Sequence, residues 1–121
     1  MHFPSHVSES KFKLRDPSDP IAQSGKRFIL GVAIYSATEM SLLDQLEKSL
    51  DNGKSETPDV EVFDVLDCKS MSDFEKYIPG INGVYRTPVI GVILDGKLID
   101  YATGLSDVKE TLHRFNVLDE L

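Results

Sequence analysis

The sequence predicts an α/β protein with a mixed central sheet and helices on both of its faces. Three observations predict this class: a continuous apolar run at residues 28–35, an amphipathic segment after it, and two late strands joined by a tight turn. An uninterrupted apolar strand is typical of the centre of a sheet that is covered on both faces. The predicted order is β-α-β-α-β-β-α. Its early alternation indicates a parallel pair of strands, and its late turn indicates antiparallel strands.

The first helix is predicted from residue spacing. Ser36 or Thr38 can cap its start, and Glu39 suits the positive end of a helix dipole. Asn52-Gly53 is a typical helix stop. Its apolar residues recur at helical spacing and are Met40, Leu42, Leu43, Leu46 and Leu50.

A second strand, a short helix, a hairpin and a last helix complete the order. The hairpin turns at Asp95-Gly96, a dipeptide that favours tight turns. Ser106 is the expected cap of the last helix. The expected bounds are 60–67 for the strand, 70–78 for the short helix, and 87–94 and 97–102 for the two hairpin strands.

Length and composition limit the classes to which the chain can belong. Its 121 residues, 40% of them hydrophobic and 27% charged, suffice for one soluble domain. No apolar run reaches the roughly 20 residues of a membrane helix, and residues 1–19 lack the apolar region of a signal peptide. A single cysteine, Cys68, excludes an internal disulfide framework and fits a reducing compartment. We therefore expect a cytoplasmic protein.

The net charge of −7 is unevenly distributed along the chain. Residues 1–27 carry five cationic and three acidic residues, whereas residues 28–121 carry eight cationic and seventeen acidic ones. An acidic body repels phosphate backbones, which disfavours nucleic acid as a partner. Residues 1–26, which show no periodicity, are predicted to be an irregular or partly disordered arm before a domain at 27–121. Lys11–Leu14 alternates briefly and could form a short added strand.

Three motifs lie in the order that a known fold family requires. They are Ile81-Asn82-Gly83-Val84-Tyr85-Arg86-Thr87-Pro88, Gly96-Lys97-Leu98-Ile99 and Gly104-Leu105-Ser106-Asp107. With the element order, they make residues 27–117 resemble the thioredoxin-like superfamily in its minimal glutaredoxin form. The resemblance implies that the Thr87–Pro88 bond is cis and that the backbone of Thr87 can pair with an extended peptide or a thiol ligand. An ordinary trans proline at a strand start is the alternative.

The chain departs from that family at the residues that carry redox chemistry. The family places a cysteine at the start of the first helix, where the helix dipole stabilises the thiolate. Between Tyr35 and Leu43 the only sulfur is the thioether of Met40, and the hydroxyls of Ser36 and Thr38 cannot replace a thiolate near pH 7. Disulfide oxidoreductase activity is therefore not expected.

The leading hypothesis is a non-catalytic protein-interaction module with a thioredoxin-like fold. Its partner would lie in a groove near the proline, paired through backbone groups, and residues 1–26 could order on binding or cover the groove. No cofactor is expected, and the oligomeric state stays open. The predicted groove residues are Tyr35, Ser36, Ala37, Thr38, Glu39, Met40, Arg86, Thr87 and Pro88.

A glutathione-binding or transferase-type protein is the alternative that the resemblance implies. The ligand carboxylate would then lie at the start of the last helix, at Leu105, Ser106 and Asp107, and Ser36 or Tyr35 would hydrogen-bond its thiolate. The acids Glu39 and Asp107 have the wrong charge for this anionic tripeptide, and Arg86 offsets them only in part. We also do not expect within these 121 residues the second helical domain where transferases bind their other substrate.

Cys68 gives a third hypothesis, a single-thiol redox switch. It follows the second predicted strand and would lie at the same end of the sheet as the Ser36–Met40 loop. A small side chain that is simply packed is the alternative. No metal site is predicted, because His2 and His6 lie in the arm and the acidic residues show no ligand spacing.

Overall fold

The computed structural model describes residues 13–16, 18, 24–50, 59–81 and 86–118. Within them a five-stranded sheet has the order β1-β3-β2-β4-β5. The strands are β1 (Lys13–Leu14), β2 (Lys26–Val32), β3 (Asp59–Asp64), β4 (Val89–Leu94) and β5 (Lys97–Thr103). The α-helices are α1 (Ala37–Leu50), α2 (Met71–Tyr77) and α3 (Leu105–Arg114). This architecture confirms the predicted α/β class with a mixed sheet.

The sheet brings four chain segments to one end. β1 and β2 both run parallel to β3, whereas β4 is antiparallel to β2 and to β5. Val32 is paired with Asp64, and Val89 with Gly31 and Thr103. The end of the sheet where β2, β3 and β5 finish and β4 begins is called here the upper end. The loops that carry the candidate site leave the sheet there.

Two hydrophobic clusters cover the two faces of the sheet. The first packs α1 and α3 on one face, and it includes the apolar residues predicted for the first helix. The second lies on the opposite face with Phe63, Tyr77 and Ile78. Gly91 is required there, because a Cβ on it would lie 2.4 Å from Cγ2 of Ile78. Both faces of β2 are therefore buried, which explains its apolar sequence.

Several predicted element bounds are wrong: β2 ends at Val32 and not at Tyr35, and β4 begins at Val89 and not at Thr87. Two further errors have local reasons. The strand expected to reach Asp67 ends at Asp64, whose Oδ1 accepts a hydrogen bond from the Leu66 N–H at 2.9 Å. That bond starts a short 3-10 helix, Val65–Asp67. The last helix is capped by Gly104, at φ +88°, and not by Ser106. The predicted helix stop at Asn52-Gly53 lies outside the described residues, as do His2 and His6.

The described part of the predicted arm is attached to the sheet. Lys13 and Leu14 pair with Glu61 and Val62 as β1, the added strand that the alternation suggested. Arg15, which the sequence placed in the arm, is only 1% exposed. Its Nη2 donates a hydrogen bond to the Lys76 carbonyl at 3.3 Å, and its Nη1 lies 3.9 Å from Glu61 Oε1. β1 and Arg15 thus join this segment to β3 and to the end of α2.

Candidate functional site

The loop between β2 and α1 is shaped by the cap of the helix. Ser36 donates its N–H to the Ala33 carbonyl at 3.0 Å, and its Oγ accepts a hydrogen bond from the Glu39 N–H at 3.3 Å. Ser36 is therefore the cap, one of the two predicted candidates, because its hydroxyl satisfies an N–H that the helix leaves unpaired. Tyr35, just before the cap, is 76% exposed.

Glu39 joins this loop to the segment before β4. Its side chain is 7% exposed. Oε1 accepts the Ala33 N–H at 2.9 Å, and Oε2 accepts the Thr87 hydroxyl at 3.0 Å. The sequence placed this carboxylate in the groove, against a ligand. In the structure it is buried and hydrogen-bonded on both oxygens, so it positions the loop rather than presenting a charge to solvent.

The Thr87–Pro88 segment directly precedes β4 at the upper end. Its peptide bond is cis. The Pro88 carbonyl accepts the Gly104 N–H at 2.8 Å, which connects this segment to the start of α3. Among the backbone hydrogen bonds of the described residues, none involves the N–H or C=O of Thr87.

Arg86 lies beside the start of α3. It is exposed, and a Cβ on Gly104 would lie 3.2 Å from its Cζ. Ser106 and Asp107, in the first turn of α3, are exposed, whereas Leu105 is half-buried. The structure therefore brings Arg86 next to the predicted carboxylate site, with Asp107 on the same helix turn.

Not all of the predicted groove residues lie on a surface. Ala37 and Thr38 are exposed on the first turn of α1. Met40 is only 8% exposed and belongs to the first hydrophobic cluster, so its inclusion among contact residues is wrong. The term groove is used below for the surface formed by Tyr35, Ser36, Arg86 and Thr87; Pro88, which was also predicted to belong to it, is buried.

Cys68 does not have the properties of a redox-sensing thiol. It lies after the 3-10 helix, half-buried against the second hydrophobic cluster. Burial raises the pKa of its thiol from 9.0 to about 12, and the carboxylates of Asp73, Asp67 and Asp64 add to this increase. The thiol is therefore protonated near pH 7, which is the opposite of what a reactive cysteine needs.

Leu66 is a surface residue of the upper end that the sequence analysis did not select. Its side chain is 54% exposed, in the 3-10 helix after β3. Residue spacing predicts Leu66 inside the strand at 60–67. The signal that could have found it is Asp64, since Asp side chains commonly accept the N–H two residues on and so end a strand in a turn.

The described residues do not form a metal-binding group of His, Cys, Asp or Glu side chains. Of the helices they contain, none has the length and apolar character needed to cross a membrane. The groove residues offer the hydroxyl of Ser36, the exposed cation of Arg86 and the exposed side chain of Tyr35.

The architecture and the segments that meet at the upper end define a thioredoxin-like fold. The chain is 16% identical to a mutant thioredoxin from Halobacterium salinarum, with a TM-score of 0.53 over 83% of this chain and 80% of that one. It is 15% identical to a designed protein, with a TM-score of 0.57 over 95% of this chain and 96% of that one. No protein-family model matches the chain, and neither does any curated protein sequence. These likenesses show the fold alone.

Proposed function

We propose that this protein is a non-catalytic thioredoxin-like module that binds an extended segment of a protein partner in the groove. The observation that carries the proposal is the backbone of Thr87, which lies next to Pro88 and bonds to no other backbone group of the described residues. An extended peptide can pair with such groups as an added strand does, and neighbouring side chains then give specificity. Tyr35 supplies a large exposed side chain for that purpose.

The absence of a redox nucleophile supports a binding role over catalysis. The sequence from Tyr35 to Leu43 contains no cysteine, and the Ser36 hydroxyl serves as the helix cap. Cys68 is protonated near neutral pH. Glu39, at the start of α1, is buried between two hydrogen-bond donors and holds the groove in place.

The proposal is tested by selecting displayed random hexapeptides on the whole protein. We expect selected peptides to lose most of their binding to Tyr35→Ala and to keep it with Tyr101→Ala. Tyr101 is the matched control, because it is a tyrosine on β5 that is 52% exposed and does not belong to the groove. In the wild-type protein a bound peptide should protect the Thr87 amide from hydrogen exchange. Peptides that bind equally to both variants and leave Thr87 unprotected would refute the proposal.

Glutathione binding is the second candidate, and one observation favours it. The guanidinium of Arg86 lies against Gly104 at the start of α3, where a ligand carboxylate would meet positive charge. The hydroxyl of Ser36 accepts a hydrogen bond and still has its own proton to donate to a sulfur atom. A titration with reduced glutathione should then shift the amides of Ser36, Thr87 and Leu105–Asp107 saturably. The absence of shifts at millimolar ligand would exclude this candidate.

The expected location of the protein is the cytoplasm. A single half-buried cysteine with a raised pKa can form no internal disulfide, and such a chain suits a reducing compartment. Fluorescence microscopy of the tagged full chain in its own cell would test this expectation.

A further inference from the structure

Three exposed side chains form a row across the lower end of the sheet, which is the end opposite the groove. Lys26 begins β2, Leu94 ends β4 and Lys97 begins β5. In the two antiparallel ladders, Leu94 lies directly opposite Lys26 on one side and Lys97 on the other. Directly opposite residues of antiparallel strands point to the same face, with Cβ atoms about 4.5–5.5 Å apart. Both lysines are exposed and Leu94 is 38% exposed, so these three residues, called here the basic row, form one continuous surface.

The basic row lies on the face of the sheet that α3 covers. Lys26 Nζ is 5.1 Å from the centroid of the Phe115 ring, which follows α3 and is half-buried. That ring packs edge-on against Phe28, with the two centroids 5.6 Å apart. An ammonium group above an aromatic ring keeps its charge and its hydrogen-bond donors. The row thus combines cationic groups with an exposed leucine and a partly exposed ring.

The charges of the two lysines are free to meet a ligand. Within the part of the chain that the structure describes, neither Lys26 nor Lys97 forms an ion pair. The acids next to the row are engaged elsewhere, because Asp100 pairs with Arg114 and Asp95 accepts a backbone N–H at 2.8 Å. The net charge of −7 does not keep an acidic ligand away, since charges farther off than a Debye length of about 8 Å are largely screened at 0.15 M salt.

We propose that the basic row binds an acidic segment of a protein partner, in which two carboxylates flank an apolar side chain. Lys26 and Lys97 pair with the carboxylates, and Leu94 contacts the apolar side chain between them. The two lysines are two strand spacings apart, about 10 Å, and this distance sets the separation of the carboxylates. The exposed leucine selects a protein segment over a nucleic acid, because a phosphate backbone has no apolar side chain to cover it. This site goes beyond the proposed function, since it does not involve Thr87.

The test selects displayed random twelve-residue peptides on the whole protein and discards those that still bind the double variant Lys26→Glu, Lys97→Glu. We expect the remaining peptides to carry Asp or Glu on both sides of an apolar residue. Each single substitution to Glu should weaken their binding about fivefold at 0.15 M salt, because an exposed ion pair is replaced by a repulsion. Raising the salt to 0.5 M should reduce this difference, since it screens exposed charges.

Two further variants separate the apolar contact from the charges. Leu94→Ser should weaken the binding of the selected peptides about tenfold, because the peptide no longer buries a leucine side chain. Lys69→Glu is the matched control and should leave binding unchanged, because Lys69 is an exposed lysine in the connection between β3 and α2. All of the substituted side chains are exposed, so the variants should keep the wild-type fold, which their amide spectra will check.

The outcomes distinguish this inference from the proposed function. A peptide bound at the basic row should shift the amides of Lys26 and Lys97 and leave the Thr87 amide unprotected from hydrogen exchange. Recovery of no such peptide would overturn the inference and leave the groove untouched, as would equal binding to Lys26→Glu and Lys69→Glu. An oligothymidylate that binds the row as tightly as the peptides would assign it to nucleic acid instead. Self-association of the wild-type protein that is lost in Lys26→Glu would assign it to a second copy, and either result would also overturn the inference.

Discussion

At the scale of single residues, Glu39 is the side chain on which the geometry of the groove most depends. Glu39→Ala would leave the Ala33 N–H buried without a partner and release Thr87, so we expect a loss of about 2–3 kcal/mol in the free energy of unfolding. Glu39→Gln should cost less than about 1 kcal/mol, since an amide can accept one bond and donate the other to the threonine hydroxyl. Urea unfolding measures both values. Equal losses in the two variants would show that the hydrogen bonds are not the cause.

Cys68 offers a second prediction at this scale. Its raised pKa, about 12 against 9.0, makes the thiolate fraction near pH 8 about a thousandfold smaller in the folded protein. Alkylation by iodoacetamide should therefore be slow at pH 8 and accelerate up to about pH 12, whereas in urea its rate should level off near pH 9. The unfolded thiol ionises first, so the unfolding free energy should fall as the pH rises from 9 towards 12. Rapid alkylation of the folded protein at pH 8 would contradict this.

At the scale of elements, the buried charges beside β1 join three elements. Glu61 Oε2 on β3 accepts a hydrogen bond from Arg27 Nε on β2 at 2.8 Å, and its Oε1 lies 3.9 Å from Arg15 Nη1. Arg15 also donates a hydrogen bond to the Lys76 carbonyl near the end of α2. Arg15→Met should cost about 1 kcal/mol or less, because Glu61 keeps Arg27 and the methionine fills the space. Glu61→Gln should cost about 3 kcal/mol, since it leaves a buried guanidinium without a counter-charge. Denaturant unfolding should show this order.

The exposed pair of Arg114 and Asp100 supplies the control for that prediction. Exposed ion pairs contribute little, so Arg114→Met should change the unfolding free energy by less than about 0.5 kcal/mol. A loss in Glu61→Gln no larger than in this control would show that the buried charges do not stabilise the connection between the elements.

At the scale of the whole molecule, β1 covers one edge of the sheet. Removing residues 1–16 would uncover the outer side of β3, where the Arg15 N–H now donates to the Val62 carbonyl at 2.7 Å. An uncovered strand edge pairs readily with other chains. We therefore expect the truncated protein to self-associate and to be less stable than Arg15→Met. Urea unfolding and sedimentation velocity would measure the two effects. An unchanged unfolding midpoint in a monomeric truncated protein would contradict the prediction.

Much of the fold could be predicted from the sequence because its signals are local. The apolar run of β2, the helical spacing of α1 and the Asp95-Gly96 turn each act over a few residues, and the structure has all three elements. The candidate site could be predicted in part: Ser36 is the helix cap, and Thr87–Pro88 lies at the upper end. The boundary error at Asp64 arose because a side-chain hydrogen bond, and not periodicity, ends the strand.

By itself, the sequence determined the fold class, the element order and the lack of a cysteine at the start of α1. Tertiary structure alone decided which side chains face solvent. It buried Glu39 against Thr87, 48 residues away, and Arg15 against Glu61, placed Met40 in the core, and left Leu66 and Tyr35 exposed. The physical reason is that burial and ion pairing depend on contacts between distant parts of the chain. Periodicity and turn propensity report only on neighbours in sequence.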